Sequence, residues 1–191
     1  MYTLRTVTAP TAEPLSLADA RDHCHVDSFD HDGMLSAYIL AARSHVENIC
    51  GMALCTQTLG MTMDEFPAFG EIVLPRYPVQ SVTSVQYLDT AGVLTTWATS
   101  EWQSDLNGPS PRIAPKSGKS WPTIGDAFAS VQIQFIAGFG APHDVPPLIL
   151  QAIRLLVGHW FENREATSSG SLPREIELGV NAMLAQYRSP I

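Results

Sequence analysis

The sequence has few basic residues. Lys and Arg together number 11, against 19 Asp and Glu, and the formal net charge is −8. The 11 basic residues form no run. A protein that holds nucleic acid by its phosphates needs clustered Lys and Arg. The composition therefore argues against a protein that grips DNA, although an acidic body can lie beside DNA that must slide past it.

Cysteine and long hydrophobic runs are also scarce. Cys24, Cys50 and Cys55 are odd in number and form no C-x-x-C pair, which favours a reducing compartment over a disulfide framework. The most apolar stretch, 145–153, contains two prolines and a Gln and is too short to cross a bilayer. The first residues lack the apolar core of a signal peptide. We therefore expect no membrane segment.

Motifs that mark common catalytic and cofactor sites are missing. There is no G-x-S-x-G and no Walker A sequence, and Gly138-Phe139-Gly140 does not continue into G-x-G-x-x-G because residue 143 is His. These two glycines instead predict a sharp turn after a strand. We therefore predict no catalytic residues, no cofactor and no metal site.

Two other classes of function remain open. His23, Cys24, His25 and His31 form the most ligand-like cluster and motivate a metal-dependent enzyme, but their spacing does not fit a zinc site. Helix-end histidines that complement the dipole are the simpler interpretation. Four tryptophans motivate a carbohydrate-binding or hydrolytic β module on a helical scaffold, although Trp is more often a core or interface residue. They are Trp97, Trp102, Trp121 and Trp160.

The N-terminal third predicts an extended arm and two helices. Ser16 and Asp19 resemble a capping box for a short helix that ends near Cys24. A second helix, capped by Asp30 or Asp32, should end at Gly51. Its apolar stripe repeats every three or four residues, at Leu35, Ile39, Ala42, Val46 and Ile49.

The middle of the chain is β-type and the end is again helical. Predicted strands are 56–63, 71–74, 81–88, 93–97 and 131–137, with a hairpin loop at 89–92 and a long loop at 107–120. Pro146 and Pro147 begin a helix that runs to about Arg164. Its predicted face is Leu148, Ala152, Leu155, Leu156, His159 and Trp160. A last amphipathic segment follows Pro173, with Ile176, Val180, Leu184 and Tyr187 near one stripe.

This order predicts an α+β fold in which N- and C-terminal helices form a bundle with an inserted antiparallel β-rich module. The expected division is 1–52 for the arm and first helices, 53–144 for the β-rich module, and 145–191 for the last helices and tail. The module should project from the bundle.

Many short segments follow one another in a distinctive order and spacing over nearly the whole chain. These are Leu15-Ser16-Leu17-Ala18-Asp19-Ala20, Ala41-Ala42-Arg43, Val46-Glu47, Gly51, Leu74-Pro75-Arg76-Tyr77-Pro78-Val79, Ser81-Val82, Val85-Gln86-Tyr87-Leu88-Asp89, Gly92, Trp121-Pro122, Ala137-Gly138-Phe139-Gly140, Val145-Pro146, His159-Trp160-Phe161-Glu162-Asn163-Arg164-Glu165 and Tyr187-Arg188. In these segments the chain resembles the head-tail connector (adaptor) proteins of long-tailed phages and gene transfer agents. The His-Cys-His segment before Val26 and the segment after Ser171 depart from the family pattern.

The resemblance implies a structural protein without catalysis. Such proteins form a ring, commonly twelve-fold, beneath the portal of a DNA-filled capsid, within the neck of a virion assembled in the bacterial cytoplasm. The ring extends the DNA channel, lets DNA pass without specific binding, and offers a platform for the next neck or tail protein. The family's C-terminal segment engages the portal, which maps here to Leu184, Tyr187, Arg188 and Ile191.

Overall fold

The computed structural model describes residues 2–163 and 174–188, and these form a mixed α+β structure of two compact units. Of the described residues, one unit, here called the helical unit, comprises 12–55, 139–163 and 174–188. The other, here called the sheet unit, comprises 2–11 and 56–138. No helix within the described residues is both long and apolar enough to cross a membrane.

The helical unit contains α1 (Leu17–His23), α2 (Asp32–Cys50), α3 (Pro147–Glu162) and α4 (Arg174–Leu184). Helix α2 contacts α1 and α3, and α4 contacts α3. The predicted start of α1 is confirmed, since the Ser16 hydroxyl accepts a hydrogen bond from the Asp19 backbone N–H at 3.0 Å. Gly51 ends α2 in the left-handed conformation at φ 68°, as predicted.

Four of the five residues in the predicted apolar stripe of α2 are buried, and the predicted face of α3 is confirmed only in part. Leu35, Ile39, Ala42 and Val46 of α2 are buried, and Ile49 is half-buried. In α3, Ala152 and Leu156 are buried as predicted. The other buried residues are Ile149, Ile153 and Val157, while Leu155, His159 and Trp160 are half-buried and Leu148 is exposed. This helix is apolar around much of its circumference, so several faces satisfy the sequence pattern equally well. Contacts with neighbouring helices select the face that is buried.

The sheet unit is built around a five-stranded antiparallel sheet in the order β1-β2-β8-β4-β5. The strands are β1 (Tyr2–Thr8), β2 (Gln57–Met63), β4 (Val79–Leu88), β5 (Leu94–Thr96) and β8 (Val131–Ala137). Leu59, Met61, Val85, Ile133 and Phe135 are all buried. The alternating pattern predicted for 131–137 is confirmed, because it leaves Gln132 and Gln134 on the other face of this central strand.

A second sheet of three strands was not expected. It contains β3 (Ile72–Val73), β6 (Trp102–Asp105) and β7 (Arg112–Pro115) in the order β3-β7-β6. Strand β7 lies inside the predicted loop 107–120, and the predicted N-terminal arm forms β1. These strands are short or carry few apolar residues, so their side chains give little periodic signal. Cross-strand hydrogen bonds create them, from distant parts of the chain for β1 and β3 and from a nearby segment for the β6–β7 pair.

An aromatic cluster fills part of the sheet unit. The ring of Phe66 stacks on Trp121 with centroids 4.8 Å apart, and it also contacts Trp97 and Tyr87. Trp97 and Trp121 lie 5.2 Å apart. The predicted hairpin loop is confirmed beside this cluster, where the Asp89 carboxylate accepts hydrogen bonds from the backbone of Ala91 and Val93.

Candidate functional site

A buried ion-pair network lies in the helical unit. The guanidinium of Arg43 donates to Glu13 at 2.6 Å and to Glu47 at 2.9 Å. The second oxygen of Glu47 accepts the backbone N–H of Leu54 at 2.9 Å. Arg43 and Glu47 are each under 10% exposed. The network therefore ties the segment before α1 and the segment after α2 to the middle of α2.

The charges in this network balance one another and do not suit acid–base catalysis. Burial disfavours the charged form of Arg43, but hydrogen bonds and attraction from Glu13 and Glu47 outweigh it, so the pKa of Arg43 is raised. An arginine held more firmly in its charged form cannot act as an acid or base near neutral pH. The network is a structural brace, and the i,i+4 spacing of Arg43 and Glu47 was its only signal in the sequence.

A cleft of about 500 Å³ opens in the helical unit near the network. Its walls include Pro14, Ile39, Leu150 and Arg154, with Glu13 and Asp19 among its polar groups. Both carboxylates are already engaged, Glu13 with Arg43 and Asp19 with the Ser16 hydroxyl. Because these acids are occupied by structural partners, the cleft does not present the pair of free carboxylates that hydrolytic chemistry uses.

The candidate histidines do not converge on a common point. The imidazole of His23 packs against Gly158 of α3, where an added Cβ would lie 3.0 Å from its Nε2. His31, and not Asp30 or Asp32 as predicted, occupies the N-cap position of α2, where its side chain makes no cap hydrogen bond. Its ring meets that of Phe161 edge-on, with centroids 5.5 Å apart. Across the described residues, no group of three or more His, Cys, Asp and Glu side chains is arranged to hold a metal ion.

The tryptophans serve mainly as packing residues. Trp97 and Trp102 are buried, and the Trp102 indole N–H donates to the backbone carbonyl of Trp97. Trp160 of the helical unit lies against Tyr38 with ring centroids 6.1 Å apart. A sugar-binding platform needs aromatic faces open to solvent, so these contacts favour core and interface roles for the tryptophans.

The four predicted portal-binding residues differ in their surroundings. Leu184 is fully buried at the end of α4, while Tyr187 is half-buried in a short 3₁₀ turn (Ala185–Tyr187). The exposed Arg188 donates to the Asn181 side chain at 2.6 Å. Ile191 lies outside the described residues. Tyr187 and Arg188 are thus the two described members of this set with surface to offer a partner.

Large apolar side chains are exposed in both units, and sequence patterns did not find them. Phe69 and Phe128, in loops of the sheet unit, are 92% and 91% exposed. Other exposed apolar residues are Tyr2, Val7, Phe29, Leu40, Val73, Val93, Leu94, Leu148 and Leu178. Where such side chains lie together they mark contact with other proteins, whereas scattered ones are normal on a protein surface.

Three solved structures match nearly the whole chain. A protein in the neck of an empty gene transfer agent particle, computed with C6 symmetry, has 29% sequence identity and a TM-score of 0.83. A protein in the virion of the native particle has a TM-score of 0.82, and one in the native neck, computed with C12 symmetry, has 0.81, each at 29% identity. In all three cases the match covers 99% of this chain and 96% of the other. No family model and no curated protein matches the chain.

These matches confirm the resemblance to the head-tail connector family. The chain is a structural protein of a virion-like particle and not an enzyme. More particularly, it is a neck protein, similar along its length to those of gene transfer agents.

Proposed function

We propose that this chain is a subunit of an oligomeric ring that joins portal to tail and extends the DNA channel. The observation that carries the proposal is the match over 99% of the chain to a neck protein solved with C12 symmetry. At 29% identity the likeness includes the sequence as well as the fold. A dodecamer is therefore the expected assembly, with the portal and the next neck or tail protein as further partners.

The surface of the monomer supports assembly. A closed ring needs a heterologous interface, in which one patch of each copy meets a different patch of the next. Exposed apolar residues occur in both units, so each unit has apolar side chains that could take part in such contacts. Obligate interfaces are large and apolar, and a chain of this kind is marginal or adhesive on its own.

The proposed ring body is a bundle built from the helices of segments 1–52 and 145–191. The contacts of α2 with α1 and α3, and of α3 with α4, support this arrangement. Segment 53–144 supplies the β-rich module. The net charge of −8 suits a channel wall that DNA must pass without adhering, because DNA phosphates are repelled by an acidic surface.

Mass measurement of the full-length chain, alone and with its portal protein, tests the ring. We expect a discrete oligomer with the portal, and its mass divided by the 20.8 kDa subunit gives the stoichiometry. Cryo-electron microscopy of purified particles should place the chain in the neck. A chain that stays monomeric with the portal and is missing from particles would contradict the proposed function.

The portal contact is expected to depend on the last described residues. Replacing Tyr187 and Arg188 together with alanine should reduce co-purification with the portal about tenfold or more, because aromatic and arginine side chains dominate interface energies. Far-UV circular dichroism should stay unchanged, since both side chains have surface exposure. Replacing Arg112, an exposed arginine of the sheet unit, with alanine is the matched control. Equal portal binding by all three proteins would remove Tyr187 and Arg188 from the contact.

A further inference from the structure

Strand β1 forms one edge of the five-stranded sheet and is exposed along its length. Six of its seven residues are exposed and only Leu4 is half-buried. Its pairing with β2 covers Tyr2 to Thr6 and resumes at Thr8 after an irregularity. In the described part of the chain, β2 is the only strand that pairs with it. As far as the described residues extend, the outer backbone groups of β1 are therefore available to another strand.

Strand β5 forms the opposite edge. It has three residues, Leu94–Thr96, and pairs only with β4 among the described strands. Val93 and Leu94 are 58% and 47% exposed at this edge, while Tyr2 and Val7 are 51% and 46% exposed on β1. Each edge thus combines exposed apolar side chains with threonines. The two edges differ in sequence and length, so they are different surfaces.

Both edges are only partly protected against pairing with another chain. Edge strands are commonly blocked by Lys, by Pro, by inward-pointing charge, by a bulge or by being very short. Here β5 is short and β1 has an irregularity after Thr6. Arg5 is the one charged residue in the two strands, and neither contains Lys or Pro. Directly paired residues also form a row that crosses all five strands, and every residue in it is neutral. No charge in this row would therefore repel a neighbouring copy of the chain. The row is Thr3, Thr62, Gln132, Gln86 and Thr96.

We propose that the β1 edge of one copy of this chain pairs with the β5 edge of the next copy, which continues the sheet from subunit to subunit. The inference rests on the proposed ring and names one of its interfaces. Pairing of two different edges is heterologous, so it repeats around a ring. Pairing of β1 with β1 would instead be isologous and would stop at a dimer.

The strand directions in the sheet fix the direction of this pairing. Each neighbouring pair in the five-stranded sheet is antiparallel, so β1 and β5 run in the same direction. Twelve-fold symmetry, as in the neck of the native particle, relates neighbours by a twelfth of a turn. So small a rotation keeps the strands nearly aligned, and β5 of one copy meets β1 of the next in parallel. Because β5 has three residues, few backbone hydrogen bonds can form between the two copies. Apolar side chains at both edges add to the contact.

Covalent trapping between copies tests the pairing. The double variant Thr3→Cys with Thr96→Cys places one thiol on each edge, on the same face of the sheet. This variant and its control both carry Cys24→Ser, which removes the one cysteine that is not buried. Cys50 and Cys55 can stay, because they are buried and burial raises the pKa of both thiols, that of Cys55 to about 11. With portal-assembled protein and a bismaleimide we expect a ladder of covalent multimers that extends beyond the dimer. In the control Thr3→Cys with Ser104→Cys, the second thiol lies on β6 of the other sheet, and no ladder is expected.

Charge placed on the edges provides a second measurement. Val7→Lys and Leu94→Lys, alone or combined, should lower the yield of rings with the portal by roughly tenfold or more, because a charge that loses its water without a partner is costly. Ser104→Lys and Ser44→Lys change exposed polar residues of the sheet and helical units and should assemble normally. Circular dichroism of each variant monitors the fold.

The outcomes separate the pairing from the proposed function. Covalent multimers of the Thr3→Cys with Thr96→Cys variant, together with loss of rings in the Val7→Lys and Leu94→Lys variants, support the pairing of β1 with β5. The pairing is overturned, while the ring stands, if the wild-type chain forms rings but the double-cysteine variant gives no multimers and both lysine variants assemble normally. Cross-linked dimers from Thr3→Cys alone would indicate β1 with β1 and would also overturn it. If the wild-type chain forms no ring with the portal, the proposed function and the pairing fail together.

Discussion

Replacing Arg43 with alanine is expected to lower the free energy of unfolding of the helical unit by about 3–5 kcal/mol, because removal of one member of a buried ion pair leaves the other charge uncompensated. Glu47 is under 10% exposed and would lose the guanidinium that lies 2.9 Å away. Glu13 would lose its partner as well. The segment before α1 would then be held less firmly against α2.

Urea denaturation followed by circular dichroism at 222 nm measures this effect, since helices dominate that signal. The matched control is Arg112→Ala. Arg112 also pairs with two carboxylates, Glu71 and Asp105, but its side chain is 47% exposed. Exposed pairs contribute about 0–1 kcal/mol, so the control should unfold almost like the wild type. Similar losses in the two variants would show that burial does not set the strength of the Arg43 network.

Replacing Phe135 with alanine is expected to destabilise the sheet unit by about 3–5 kcal/mol, the usual cost of removing a fully buried Phe side chain. Phe135 is 0% exposed on β8, the central strand of the five. Its cross-strand partners are Leu59 on β2 and Val82 on β4. Alanine would leave a cavity between these strands that the surrounding sheet can fill only in part.

The adjacent residue provides the control for this prediction. Gln134 lies on the same strand but on the opposite, half-buried face of the sheet. Gln134→Ala should change the free energy of unfolding by only about 0.5 kcal/mol, as is usual for a substitution outside the core. Tryptophan fluorescence reports mainly on the sheet unit, which contains Trp97, Trp102 and Trp121, whereas the helical unit contains Trp160. Comparable effects of the two substitutions would contradict the assignment of the buried face.

Strong local signals made much of the secondary structure predictable. Helices α1 and α2 follow from the Ser16 cap, the repeated apolar stripe and Gly51, because helix formation depends on contacts three and four residues apart. Strand β8 follows from strict alternation. Strands β1, β6 and β7 were missed, since their pairing partners are distant in sequence or their residues resemble loops.

The functional surfaces were predictable only in part. The sequence pointed to a connector without catalysis, and the comparisons confirm this class. It also placed Leu184 in a portal contact, yet the structure buries Leu184 completely, and the portal contact remains a prediction. The exposure of a residue depends on the whole fold, so apolar residues in loops and edge strands could not be distinguished from core residues beforehand.

By itself, the sequence determined the acidic balance, the main helices and strands, and the connector class, because these depend on composition, local spacing and the order of segments. Only the tertiary structure decided which face of α3 is buried, that Arg43 lies between two glutamates, and that β1 and β5 form two open edges of one sheet. These features arise from contacts between distant parts of the chain, whose partners local patterns do not specify.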